Sequence, residues 1–413
     1  MQLLIQNIKS LIQTSSNPPK IKKGSHQGEL STLENAWILI EDDIIKDFGS
    51  MDNPYNTEGK PIQSIDATGR FVFPSWCDSH THIVFAGSRE SEFVDKINGL
   101  GYEEIAANGG GILNSAKRLQ DASEEELMEQ ASARLDEVMR MGTGAVEIKS
   151  GYGLTVDAEL KILRVIKKLR EKSPLTIKST FLGAHTFPMK YKENHQGYID
   201  EIIQEMLPVI AEEKLANYID VFCEKVAFSP EETDQIIKAG AKYGLKAKVH
   251  TNQFNSMGGI EVCVANNAIS VDHLEVLNDD EIAVLKSSST IATLLPSAPF
   301  FLRDQYPPAK KLISAGVPVA LATDYNPGST PSGKIPFVLS LACIHMRMTP
   351  EEAINAATVN GAYAMEVNKE LGSITKGKRA NLFITKPMPS YSYMPYAFGS
   401  DLIETVILNG KIQ

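Results

Sequence analysis

Only four cysteines occur in the 413 residues, Cys77, Cys223, Cys263 and Cys343, and no two of them are spaced Cys-x-x-Cys. A disulfide framework is therefore excluded, and the thiols read as small buried side chains of a reduced compartment. Cys77 and Cys223 fall near predicted strand ends, where a soft-ligand role is the alternative. The chain also lacks a basic stripe: its formal net charge of −10 is spread over the whole length, which removes the clustered Lys and Arg that a nucleic-acid partner requires. No run approaches the roughly 20 apolar residues that span a bilayer, and polar residues interrupt Met1-Gln-Leu-Leu-Ile-Gln-Asn-Ile-Lys9 too often for a secretory segment. No membrane partner and a cytoplasmic location are expected. There is no internal repeat and no low-complexity tract, which sets aside solenoids and linker-rich chains.

What the chain does have is 43% hydrophobic residues, enough for a barrel of about 250 residues and a second, smaller unit. Short β-branched runs alternate with amphipathic stretches, the pattern of βα units around a parallel sheet. The runs cover residues 71–78, 143–149, 176–184, 218–223, 245–249, 270–273, 289–295 and 317–323. Helix signals lie between them. Ser123 opens a capping box with Glu126 and Gly142 stops the helix, while Ser229-Pro230-Glu-Glu232 and Thr349-Pro350-Glu-Glu352 each supply an N-cap, a proline at N1 and a reaching carboxylate. Eight such units predict an α/β fold, a (β/α)8 TIM-type barrel over residues 66–374. A doubly wound open sheet is the alternative, but it would not bring the first strand beside the eighth. In the flanks, Ala36–Ile40 and Ile44–Phe48 read as a hairpin, and Asn381–Thr385 and Thr405–Asn409, the latter followed by Gly410-Lys411, as further strands. Isolated hairpins are marginal in water, so residues 1–65 and 375–413 are expected to form one small β-sandwich domain built from both chain termini. The proline-punctuated stretch Ser15–Ser25 reads as a surface loop.

Four metal-type ligands stand where predicted strands end. His80 and His82 close Phe73-Pro-Ser-Trp-Cys-Asp-Ser-His-Thr-His82, His250 follows Leu245–Val249, and Asp324 follows Val317–Thr323. Residues two apart in a strand face the same way, so His80 and His82 can reach one ion. Alone, His-x-His is common and often structural. Here the pair ends an apolar strand and is joined by a histidine and an aspartate at later strand ends, the arrangement of an open hydrolytic metal site at a barrel's C-terminal face. Of the eight histidines, His185 and His273 also fall near strand ends, whereas His26, His195 and His345 lie in polar or helical segments. His273, weighed against a satisfied core histidine, reads as a base or electrophile beside the metal. Asp324, weighed against a turn aspartate before Tyr325-Asn-Pro-Gly-Ser329, reads as a ligand that also moves protons.

Asp78-Ser-His-Thr-His82 resembles the signature of the amidohydrolase superfamily. Five further stretches resemble one of its families, the imidazolonepropionases of histidine degradation: Val84–Phe93, Glu147-Ile-Lys-Ser-Gly-Tyr-Gly153, Phe181-Leu-Gly-Ala-His185, Val271-Asp-His-Leu-Glu275 and Ala322-Thr-Asp-Tyr-Asn-Pro-Gly328. The resemblance runs from about residue 70 to 330 and extends through the flanks. It implies that His80, His82, His250 and Asp324 hold one Zn²⁺ or Fe ion per chain, that Arg89, Tyr152 and His185 bind substrate, and that Asn326, Gly328 and Ser329 line the product's polar end. The implied reaction is attack of a metal-activated water on the ring carbonyl of 4-imidazolone-5-propanoate, giving N-formimidoyl-L-glutamate, with His273 stabilising the oxyanion and Asp324 passing the proton. A homodimer is also implied. The sequence departs from the pattern at two places. Pro74-Ser75 replaces the usual Pro-Gly, which is harmless if Ser75 avoids positive φ. Gln253 stands where some relatives carry glutamate; an amide cannot act as a general base, so Gln253 is expected to orient substrate or water. The alternatives are another mononuclear amidohydrolase such as a ring deaminase, a two-metal enzyme that would need a bridging lysine after the fourth strand, and a catalytically silent metal-binding barrel.

Overall fold

The computed structural model describes residues 2–56, 62–100 and 111–413; the parts of the expected spans at residues 1, 57–61 and 101–110 lie outside the described residues. In chain order the strands are β1 (Gln2–Ile12), β2 (Thr32–Glu41), β3 (Ile44–Ser50), β4 (Gln63–Asp66), β5 (Phe71–Pro74), β6 (Trp76–Thr81), β7 (Thr143–Lys149), β8 (Thr176–Ala184), β9 (Tyr218–Cys223), β10 (Lys246–Thr251), β11 (Ser270–His273), β12 (Ile291–Leu294), β13 (Val319–Leu321), β14 (Leu382–Thr385), β15 (Ile403–Leu408) and β16 (Lys411–Ile412). Strands β6 to β13 pair in parallel with their sequence neighbours. The ends of this sheet meet: Asp324 N donates to His80 O (3.0 Å) and His82 N to Tyr325 O (2.9 Å). That is the expected (β/α)8 barrel. Each expected capping box is present, at Ser123 with Glu126, Ser229 with Glu232 and Thr349 with Glu352, and Gly142 takes φ +86 after the helix Glu124–Arg140.

The other strands form a mixed sheet in the order β16-β15-β14-β5-β1-β2-β3, with β4 on β1. Both termini build it, as expected, and β2 with β3 is the expected antiparallel hairpin. Two features differ from the sequence reading. The run 71–78 is two strands: β5 lies in the terminal sheet, although it falls within the range expected for the barrel, and β6 in the barrel. The two strands are separated by Ser75 alone, too short a break to read from the sequence as a change of sheet. The unpredicted β1 pairs with β2, β4 and β5; its alternation is broken by a bulge between Ile5 and Ile8, with Asn7 at φ +56. Ser15–Ser25 is mostly irregular, but Lys22 points inward, its Nζ donating to Gln13 Oε1 (3.2 Å) and Asn355 Oδ1 (3.1 Å).

Alternation along the terminal strands joins the two sheets. Phe71, Phe73, Phe383, Val406 and Leu408 face the barrel core, while Val72, Leu382, Ile384 and Ile407 belong to a second cluster with Leu3, Ile5 and Ile38. Phe383 stacks on Phe73 (centroids 5.1 Å apart) and lies 4.9 Å from Trp76. Ser75, where the chain changes sheet, is not among the positive-φ residues, so the missing glycine is harmless there. The space comes from Gly144 instead, where a Cβ would stand 2.0 Å from Ser75 Oγ. Phe383→Ala would open a cavity in this seam and is expected to lower unfolding stability by about 3–5 kcal/mol, read as a reduced urea midpoint; an unchanged midpoint would show that the sheets are held elsewhere.

Candidate active site

His80 and His82 leave β6 on its inward face, and His250 does the same near the end of β10. The three rings offer ligand atoms within 4.8 Å of one another. Asp324, just beyond β13, sets Oδ1 at 3.5 Å from His80 Nε2 and 3.6 Å from His82 Nε2. It takes φ +59, a conformation that aspartate tolerates better than bulkier residues. Its other oxygen accepts from Ser329 Oγ (3.2 Å). Burial pushes the Asp324 carboxyl up to about 6, with His273, Asn326 and Ser329 opposing the rise.

The rings are oriented from behind by carboxylates. His80 Nδ1 lies 2.6 Å from Asp272 Oδ2, and His250 Nδ1 lies 2.9 Å from Asp220 Oδ2. The His80 contact is a hydrogen bond, which places its proton on Nδ1 and leaves Nε2 as the lone pair facing inward, as in carboxylate–histidine–metal sites; His250 Nδ1 lies close to Asp220 without a hydrogen bond. His80 Nε2 is buried without a hydrogen-bond partner, the state of a nitrogen whose partner is an ion. Beneath lie Lys149, paired with Asp220 (2.7 Å), Glu147 (2.8 Å) and Asp272 (3.6 Å), and Lys248, paired with Glu147. Two ammonium groups thus face three carboxylates, and Asp324 makes a fourth. The two formal negative charges left over suit a divalent cation, so the residues fit a metal.

A cavity of about 300 Å³ opens above this cluster, lined by His82, Arg89, Tyr152, His185, His250, Gln253, His273, Asp324, Asn326, Gly328 and Ser329. The structure therefore gathers every residue singled out from the sequence, with His80 just below. His185 Nδ1 lies 3.0 Å from Gly151 O, and burial lowers its pKa to about 4, so the ring is neutral with Nε2 free. His273 and Leu274 sit at φ +88 and +68, strained for such residues and typical of functional sites. Burial opposes charge on His273, but Glu275, 3.4 Å away, together with Asp324 and Asp272, outweighs it and raises the pKa. Arg89 directs Nε (2.8 Å) and Nη2 (2.5 Å) at Glu92, leaving the Nη1 edge open. Gly328 admits that edge, since a Cβ there would lie 2.6 Å from Nη1. Asn326 is engaged within its own turn: Oδ1 accepts from Gly328 N (2.7 Å) and Ser329 N (2.8 Å), and Nδ2 donates to Asp324 O (2.7 Å).

Sequence reading missed Asp220, Asp272, Lys149, Glu147 and Lys248, all fully buried. Their signal is a charge inside a parallel strand, where the run should be apolar. It also missed the buried glutamates that shape the loops. Glu159 accepts from Gly151 N (3.0 Å), Gly153 N (2.6 Å) and Leu154 N (3.1 Å), so it holds the loop that carries Tyr152. Glu224 accepts from Phe254 N (2.9 Å) and Asn255 N (3.2 Å), next to Gln253. Lys225, after the fourth barrel strand, is exposed, so it supplies no bridge between two metals. His26, His195 and His345 lie away from the cavity, against Glu29, Glu232 and Tyr306 respectively.

Residues 71–413 match the Amidohydrolase family. A curated imidazolonepropionase of Flavobacterium johnsoniae is 61% identical over 100% of both chains, and one of Clostridium tetani is 41% identical over 99% of this chain and 97% of its own. Among solved structures, E. coli guanine deaminase superposes with a TM-score of 0.76 at 15% identity, covering 100% of this chain and 98% of that one. Atrazine chlorohydrolase of Arthrobacter aurescens, complexed with zinc, gives 0.69 at 15% identity, covering 99% and 94%. At that identity these structures report the fold alone.

Replacing Glu159 with glutamine turns an amide N–H₂ toward backbone donors that now meet a carboxylate. Exchange of the Gly151 amide, followed by NMR or mass spectrometry, should accelerate by about 10- to 100-fold, the worth of a hydrogen bond to a charged group. Unchanged protection would mean that the loop holds itself.

Proposed function

The chain belongs to the amidohydrolase family and, within it, to the imidazolonepropionases; from that premise we propose how its residues share the work of opening 4-imidazolone-5-propanoate. The enzyme is a metal-dependent cyclic amidohydrolase that hydrolyses this ring to N-formimidoyl-L-glutamate in histidine degradation. The observation that carries the assignment of roles is the convergence of His80, His82, His250 and Asp324 below one cavity that also holds Arg89.

One Zn²⁺ or Fe ion per chain, held by His80, His82, His250 and Asp324, supplies Lewis acidity and a water acidified from 15.7 toward about 7. Asp324 has two oxygens with two settings: Oδ1 faces His80 and His82, and Oδ2 faces Ser329. Its carboxylate accepts the proton of the attacking water and returns it to the departing ring nitrogen. His273, steadied by Glu275, donates toward the carbonyl oxygen as negative charge develops there. The neutral His185 presents Nε2 as an acceptor for a ring N–H, and the Tyr152 hydroxyl lies beside it, their rings 5.5 Å apart. The open edge of Arg89 takes the propionate. Asn326 shapes the turn that sets Gly328 and Ser329 against the polar end of substrate and product. Gln253 orients substrate or water through its amide, the role left to a side chain that cannot take a proton.

No helix among the described residues is long and apolar enough to cross a membrane, and we place the enzyme in the cytoplasm with a small-molecule substrate. The exposed Ile344, Tyr396 and Phe398, which line one surface groove, support a homodimer.

The direct test is to supply 4-imidazolone-5-propanoate to metal-replete protein and follow the loss of its ultraviolet absorbance. Turnover that disappears on chelation is expected, and an inert, metal-loaded protein would end the substrate assignment. Specificity is tested separately at Arg89. Arg89→Met should raise KM by about 10- to 100-fold, as loss of a charge-assisted fork predicts, with metal content unchanged; unaltered kinetics would place the carboxylate against another group.

A further inference from the structure

The two carboxylates behind His80 and His250 come from different strands, β11 and β9, and neither is held in place by a donor of its own strand's neighbours alone. Asp272 Oδ1 accepts from Ser270 Oγ (2.6 Å) and Asp220 Oδ1 from His250 N (3.1 Å), while Oδ2 of Asp272 is hydrogen-bonded to His80 Nδ1 and Oδ2 of Asp220 lies 2.9 Å from His250 Nδ1. One cation stands against both of those oxygens. Lys149, near the end of β7, places Nζ 2.7 Å from Asp220 Oδ2 and 3.6 Å from Asp272 Oδ2. Its third neighbour, Glu147 Oε1 (2.8 Å), is itself fixed by the hydroxyl of Thr180 (2.6 Å). Lys149 is fully buried and is not part of the cavity lining, so it has no route to substrate.

We propose that Lys149 is a positioning residue for the metal centre: its ammonium braces Asp220 and Asp272 together and so aims His250 and His80 at one ion. The geometry needs such a brace. Two carboxylates pointing toward neighbouring imidazoles repel each other, and without a cation between them each is free to turn away from its ring. A single ammonium hydrogen-bonds Asp220 and stands within ion-pair distance of Glu147 and Asp272. The linkage runs from β7 through β9 and β11 to the ligands on β10 and β6, so one side chain sets the relative orientation of two of the three ligand rings.

The inference rests on the metal site proposed above, and its test separates the two. The zinc dissociation constant of metal-stripped and reloaded protein is measured by chelator competition in the wild type and in Lys149→Met, each checked for fold by near-ultraviolet circular dichroism. Tight zinc binding by the wild type and a dissociation constant raised about 10- to 100-fold in Lys149→Met are expected, the usual effect of losing a group that orients a ligand. With zinc saturating, KM should stay at the wild-type value. Wild-type protein that binds no zinc would remove the metal site itself. Equal zinc affinity in wild type and variant would overturn the role of Lys149, as would a variant that loses thermal stability equally with and without zinc while its affinity is unchanged. If Lys149→Met does not fold, Lys149→Gln, whose amide still donates to one carboxylate, is judged by the same thresholds.

Discussion

Thr323 gives Asp78 both its backbone N–H (3.0 Å) and its hydroxyl (2.7 Å), and the barrel closes around that clasp. In strand order, β6 and β13 are opposite ends of the sheet, yet His80 and His82 come from one and Asp324 follows the other. A buried carboxylate that meets two donors in one orientation, and desolvated space in every other, holds the strands in register. Asp78 lies two residues before His80 and Thr323 one before Asp324, so the same register that closes the barrel sets the distance between His80 and Asp324.

Around that closure the barrel interior departs from the apolar filling usual for parallel strands. Glu147, Lys149, Asp220, Lys248 and Asp272 are all fully buried, and each is paired. Burying a charge is costly unless a partner offsets it, so these residues form a set in which no member is dispensable on its own. Their excess of acid over base, with Asp324 included, is what makes the site attractive to a cation. Through Asp272 the set also dictates which nitrogen of His80 carries the proton.

The rim is organised by a different device. Loops at strand ends expose backbone N–H groups that no ladder satisfies, and here buried glutamates accept them. Glu159 gathers the amides of the Gly151–Leu154 turn, Glu224 those beside Gln253, and Glu281 the side chains of Asn252 (2.7 Å) and Ser256 (2.8 Å). Tyr152 and Gln253 are thereby carried on loops whose amides are anchored to buried carboxylates.

Local pattern was enough for much of this. Short β-branched runs alternating with amphipathic stretches marked the eight barrel strands, Ser or Thr three residues before Glu marked helix starts, and strand-end His80, His82, His250 and Asp324 marked the site, because each signal is written in neighbouring residues. The change of sheet between β5 and β6 was not legible, since Phe71–Pro74 and Trp76–Thr81 are both extended and buried and only Ser75 separates them. Nor were the partners of Lys149 or the Arg89–Glu92 contact: a charge inside a strand announces burial but does not name its counter-ion. Residue types and spacing determined the fold class and which side chains gather at the site. Which carboxylate turns which imidazole, which edge of Arg89 stays open, and how closely Asp324 approaches His80 were decided by barrel closure, because those distances depend on residues up to 245 positions apart, as Asp78 and Thr323 are.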